Sequence, residues 1–83
     1  MFLEIMTPQK VVYSGEATLV KVPGSNGSFE ILKNHAAVIS TLSPGELKFN
    51  MEAGETVRYR TGNGVVEVNN NHVIVLVDLI EQQ

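Results

Sequence analysis

ETVRYRTGNGVVEVNNNHVIVLV, running from Glu55 to Val77, decides the fold. Val57 and Tyr59 fall on one side of an alternation, Arg58 and Arg60 on the other. Val66 and Val68 repeat the pattern after the break at Gly62-Asn63-Gly64. A period of two is the strand period, because successive side chains point to opposite faces of a pleated chain. Asn69-Asn70-Asn71 then supplies residues that tolerate positive φ, so a tight hairpin is expected between Val65–Val68 and Val73–Val77. Val73-Ile74-Val75-Leu76-Val77 is aliphatic at every position. It reads as a central last strand, covered on both sides.

Outward from this stretch the same grammar holds. In Ala17–Val22, Thr18, Val20 and Val22 face one way, and Ala17, Leu19 and Lys21 the other. Turn signals stand at Thr7-Pro8, Ser14-Gly15, Pro23-Gly24, Asn26-Gly27, Ser43-Pro44-Gly45 and Ala53-Gly54. No segment carries a long i, i+3, i+4, i+7 apolar stripe. His35–Thr41 has room for one helical turn, but its Val-Ile-Ser-Thr portion is β-branched and favours a strand. The expected fold is all-β: one domain, residues 1–83, forming a flattened antiparallel β-sandwich or barrel of about nine to ten short strands.

Composition narrows the chemistry. The chain has 83 residues, nine acidic and six basic, and a net charge of −3. The basic residues Lys10, Lys21, Lys33, Lys48, Arg58 and Arg60 form no run, which argues against a nucleic-acid partner. There is no cysteine, hence neither a disulfide nor a thiolate metal site. The longest aliphatic run is far short of the roughly 20 residues a membrane helix needs, so no direct membrane insertion is expected. Phe2–Met6 has neither a basic n-region nor a cleavage site and reads as a strand rather than a leader.

Catalytic motifs fail on inspection. Gly24-Ser25-Asn26-Gly27-Ser28 has neither the spacing of a nucleophile elbow nor the lysine of a phosphate loop. Gly62-Asn63-Gly64 begins like a dinucleotide fingerprint, but Glu67 stands where its third glycine belongs and a strand follows. His35 and His72 lie far apart, with no HxH, HxxxH or carboxylate cluster beside either. Glu30, five residues before His35, leaves an acid/base pair as the only catalytic candidate. No catalytic residue, metal site or cofactor is expected. The residues leave a binding or structural module.

One ordered series goes further. A first strand Phe2–Met6 is followed by Val12-Tyr13-Ser14-Gly15 and the strand Ala17–Val22. Then come a Gly-rich loop and short strand (Pro23–Leu32), a histidine with an apolar run (His35–Ile39), and a Pro-Gly turn in Leu42–Gly45. Gly62–Val68 and Val73–Val77 close the series. In this order the chain resembles the N-terminal β-sandwich domain of the epsilon subunit family of the F-type ATP synthase. It departs at Glu30, where the family usually has glycine, at Lys33-Asn34, where it has Pro-Gly, and at Ala37, where it has proline. The family often continues into two C-terminal helices. Here Asp78–Gln83 follows the aliphatic strand; its closing glutamines look like a natural tail, but the sequence is consistent with either a natively short member or a shortened chain.

The resemblance implies a non-catalytic central-stalk rotor part in proton transport and ATP synthesis, peripheral at the cytoplasmic face of the bacterial inner membrane. It implies two partners, the gamma subunit and the c-subunit ring. Thr7, His35, Ala36, Ala37, Val38 and Ile39 would face gamma. Ser25, Asn26, Gly27, Ser28 and Glu30 would face the ring, with Glu30 supplying the carboxylate that the family often carries where Ser28 stands. Two readings compete: a generic β-sandwich module binding a peptide or carbohydrate, and, more remotely, a small metal-dependent enzyme.

Overall fold

The computed structural model describes residues 1–83. Ten strands follow one another without a helix: β1 (Phe2–Met6), β2 (Val11–Glu16), β3 (Leu19–Val22), β4 (Phe29–Leu32), β5 (Val38–Leu42), β6 (Gly45–Asn50), β7 (Thr56–Thr61), β8 (Gly64–Asn69), β9 (His72–Val77) and β10 (Ile80–Gln82). They form two five-stranded sheets, ordered β2-β1-β9-β8-β5 and β10-β7-β6-β3-β4. Every pairing is antiparallel except β1 with β9, which is parallel.

The alternation read from the sequence sets the inner faces. Leu3, Ile5, Val66, Val68, Val73, Val75 and Val77 from the first sheet meet Val20, Val22, Ile31, Leu47, Phe49 and Tyr59 from the second. Phe49 is the hinge of this contact. Its ring centroid lies 4.5 Å from Tyr13 on β2 and 6.3 Å from Tyr59 on β7. The buried Thr61 hydroxyl donates to the Gly45 carbonyl at 3.4 Å, so its polar group is matched. Ala17 departs from the expected alternation. It is buried although Thr18 beside it is exposed, because both precede β3 in the crossing from β2, where Thr18 N–H donates to the Asn50 carbonyl.

Two further expectations change. Ser14-Gly15 makes no turn; both residues lie inside β2, paired with Glu4 and Leu3. Glycine is needed there because Tyr13 folds along its own strand and donates to the Glu16 carbonyl at 3.0 Å. A Cβ on Gly15 would stand 2.9 Å from the Tyr13 hydroxyl oxygen. The aliphatic strand β9 is central, as expected, but β10 follows it and only one of its faces is covered. Val73, Val75 and Val77 are buried, while Leu76 keeps 42% of its surface exposed. The asparagine hairpin forms as read: Asn70 and Asn71 take φ of 50° and 61° between β8 and β9.

Burial, and secondarily the neighbouring Tyr13 phenol, push the pKa of Tyr59 above its ordinary value. A phenol with a raised folded pKa adds stability that is full below its unfolded value and is lost as pH rises through the folded one. Tyr59→Phe is therefore expected to melt with the parent at neutral pH and to be the more stable of the two well above pH 10.0, the ordinary value of the group. Thermal melts of both proteins across the alkaline range check this; parallel curves would remove Tyr59 from the alkaline loss.

Candidate interaction surfaces

β1, β5 and β9 run in the same direction, since β1 pairs parallel with β9 and β8 is antiparallel to both β9 and β5. Thr7 follows β1, and His35 precedes β5. They consequently sit at opposite ends of the same sheet. The Thr7 hydroxyl is occupied in its turn, accepting from the backbone N–H of Gln9 at 3.2 Å and Lys10 at 3.3 Å. Of the residues assigned to the gamma side, only His35–Ile39 forms one contiguous patch.

His35 is half-buried at the start of that patch. Its Nδ1–H donates to the Ala36 carbonyl at 2.7 Å, and its ring lies 6.5 Å from Phe29. It lines a polar recess of about 430 Å³ with Asn34, Ala37, Asn69, Asn70 and Asn71. Asn34 and Asn71 lock the recess. The Asn34 backbone N–H donates to Asn71 Oδ1 at 2.6 Å, and Asn71 Nδ2 donates to Asn34 Oδ1 at 2.8 Å. Glu30 makes no bond to His35. It sits on β4 opposite Lys21, so the acid/base pairing is not made. No three His, Asp or Glu side chains gather anywhere in the chain to hold a metal ion. A larger groove, about 670 Å³, runs past Met1, Phe2, Glu16, Ala17, Thr18, Lys33, Glu52 and Asn71. Its Glu16 is engaged by the Met1 amino group at 3.4 Å.

β5 settles the orientation of the apolar run. Val38 pairs with the buried Val68 and packs on the core. Ile39 points away from it and is 71% exposed, and Ala36 and Ala37 are exposed in the approach to the strand. Ile39 heads one of three rows on the outer face of this sheet. The rows read Ile39–Glu67–Ile74–Glu4–Ser14, then Thr41–Val65–Leu76–Met6–Val11, then Asn69–His72–Phe2–Glu16. Val11 at 58%, Leu76 at 42% and Phe2 at 37% are exposed. One polar pair stands among them: His72 Nε2 lies 2.7 Å from Glu4 Oε1, with Phe2 edge-on to the imidazole at 5.3 Å. Sequence reading missed this face. The aliphatic character of both sides of β9 was its signal, since strands with only one covered face normally alternate.

The Ser25–Ser28 loop is exposed at the end of the sandwich away from His35. A turn closes it, with Gly27 N–H donating to the Gly24 carbonyl at 2.9 Å. Gly27 takes a φ of 122°, which a side chain would resist. The loop is stapled to β5. Ser25 N–H donates to the Thr41 carbonyl at 2.9 Å, and the Thr41 hydroxyl donates to Ser25 Oγ at 2.9 Å. Glu30 stands apart from the loop, exposed on the outer face of the other sheet.

The chain is thus a ten-strand, helix-free β-sandwich with exposed apolar side chains on the outer face of one sheet. The whole chain, residues 1–83, matches the model of the ATP synthase delta/epsilon chain β-sandwich domain, and the protein belongs to that family. It is 35% identical over 79 residues to the ATP synthase epsilon chain of Clostridium novyi, covering 95% of this chain and 60% of that one. It is 36% identical over 76 residues to the epsilon chain of Chlorobaculum tepidum, covering 92% of this chain and 86% of the relative. Its fold is similar to a chain in the mitochondrial ATP synthase of Euglena gracilis, solved as an OSCP/F1/c-ring assembly. That match has a TM-score of 0.91 at 20% identity and covers 96% of this chain and 51% of the other.

Proposed function

We propose that this protein is a non-catalytic rotor component of an F-type ATP synthase, holding the gamma subunit on one side and the c-subunit ring on the other. It would act peripherally, at the cytoplasmic face of a bacterial membrane, in proton-coupled ATP synthesis. The observation that carries the reading is the uncovered apolar face running from Ile39 across Val65, Ile74 and Leu76 to Val11. Contiguous exposed apolar surface of this kind marks an interaction site. The molecule measures 25 × 24 × 21 Å, so one of its faces has the scale of the ~800 Å² per partner that a stable interface buries.

The stapling of Ser25 to β5 supports the two-sided reading. A load applied to the loop passes through hydrogen bonds directly into the strand that carries Ile39. A rotor coupling needs this stiffness, because force is lost in whatever linkage yields. The ring contact has its own test. Cysteines at Asn26 or Ser28 are expected to crosslink to c-subunit loops in the assembled enzyme, read by mass spectrometry of the crosslinked band. Crosslinks to gamma alone would move the ring contact away from this loop.

A further inference from the structure

We infer that the outer face of the β10-β7-β6-β3-β4 sheet is a second docking surface, shaped for an acidic helical segment of a partner chain. Four of the six basic residues lie on this face, and none lies in the three rows of the opposite one. Lys21 stands directly across from Lys48, and Lys48 directly across from Arg58. Like charges placed opposite one another weaken a sheet. Nothing in the chain relieves this row fully. Glu46 reaches Arg58 at 3.7 Å, but Lys21 and Lys48 make no ion pair, even though Glu30 is the cross-strand partner of Lys21. The next row, Glu46–Arg60–Glu81, alternates in sign and has two carboxylates to one guanidinium, so it carries no cationic excess. The cationic excess is thus confined to one line, in which Lys21, Lys48 and Arg58 outnumber Glu30 at its end.

The spacing of that line selects the partner. Adjacent strands lie about 4.8 Å apart, and side chains three or four residues apart on a helix lie about 5–6 Å apart. A helix crossing the strands with carboxylates along one face would therefore meet Lys21, Lys48 and Arg58 in register. On the other side of the line, Leu19 pairs with Leu32, which is 51% exposed. That pair offers an apolar anchor to the neighbouring stripe of an amphipathic helix. An anionic bilayer fits less well. Glu30, Glu46 and Glu81 share the face, and the chain as a whole carries −3. A broad negative surface would meet these repulsive charges, whereas a narrow acidic stripe avoids them. The face lies on the other side of the sandwich from Ile39, so the inference stands independently of gamma docking.

The test uses the purified chain and a labelled synthetic helix carrying a glutamate stripe beside a leucine stripe, followed by fluorescence anisotropy. A second peptide of identical composition, with its glutamates dispersed around the helix, serves as the comparison. Binding is expected for the striped peptide, with a loss of about tenfold or more between low and physiological salt. Lys48→Glu is expected to weaken it by about tenfold or more, and Lys48→Met by a smaller factor. Lys33→Glu, which changes net charge equally but lies between β4 and β5, is expected to leave it within about twofold. Far-ultraviolet circular dichroism of each variant confirms the fold. Equal losses in Lys48→Glu and Lys33→Glu, or equal binding of both peptides, would overturn the inference. So would failure to bind either peptide, and so would capture by phosphatidylglycerol vesicles in preference to the striped peptide.

Discussion

Ile39→Lys is expected to leave the thermal melt of the free domain within about 4 °C of the parent and to abolish co-purification with the gamma subunit. In the free domain the new ammonium stands in water at a position that is 71% exposed, directly opposite the Glu67 carboxylate. Surface changes of this kind are worth about ±0.5 kcal/mol, and in a domain of this size 1 kcal/mol moves the melt by about 4–8 °C. In a docked complex the charge would be taken out of water where Ile39 offered apolar surface, and desolvating an ion costs several kcal/mol, which the Glu67 carboxylate repays only in part. Val38→Asp is the opposite case. Its carboxylate would point at Val68 and the core, so the domain is expected to unfold before docking can be measured. Ala37→Asp, on an exposed residue, is expected to fold. Retention of gamma by folded Ile39→Lys would remove this face from the interface and return His35 to a purely structural role.

Phe49→Ala is expected to produce the largest loss of stability of any single truncation. The ring is fully buried and touches aromatic partners from both sheets, Tyr13 at 4.5 Å and Tyr59 at 6.3 Å. Removing a core phenylalanine costs about 3–5 kcal/mol. A chain of 83 residues has roughly 4–12 kcal/mol in all. A melt lowered by about 12 °C or more follows, with Phe49→Leu retaining most of the stability because it keeps most of the volume. Calorimetry of the two variants checks this. A small shift for Phe49→Ala would mean that Tyr13 and Tyr59 close the cavity.

What could be read in the sequence was what neighbouring residues encode. Val57 against Arg58, and Val66 against Glu67, announce their faces within a few positions, and the asparagine run announces its hairpin. Gly15 misled because glycine usually signals a turn, whereas here it makes room for a ring two residues earlier in the same strand. β9 misled because aliphatic residues on both sides suggest two covered faces, whereas one of them is left open on the surface. Glu4 and His72 meet across 68 residues, and no local pattern could have joined them. The separation of Thr7 from His35 has the same origin, since it depends on the direction of β1 beside β9. For the candidate surfaces, the chemistry of His35–Ile39 was legible, but the outward position of Ile39 required the pairing of Val38 with Val68.

The parallel pairing of β1 with β9 also sets a timetable for synthesis. Phe2 must wait for His72 before its strand acquires its second neighbour. Ribosomes add about 5–20 residues per second, so the interval is on the order of several seconds. During it β1 can form only the hairpin with β2, leaving Leu3 and Ile5 short of the partners that later enclose them. Until β9 is made, the nascent chain therefore keeps one apolar strand edge unsatisfied, and the first sheet closes only after β9 has left the tunnel.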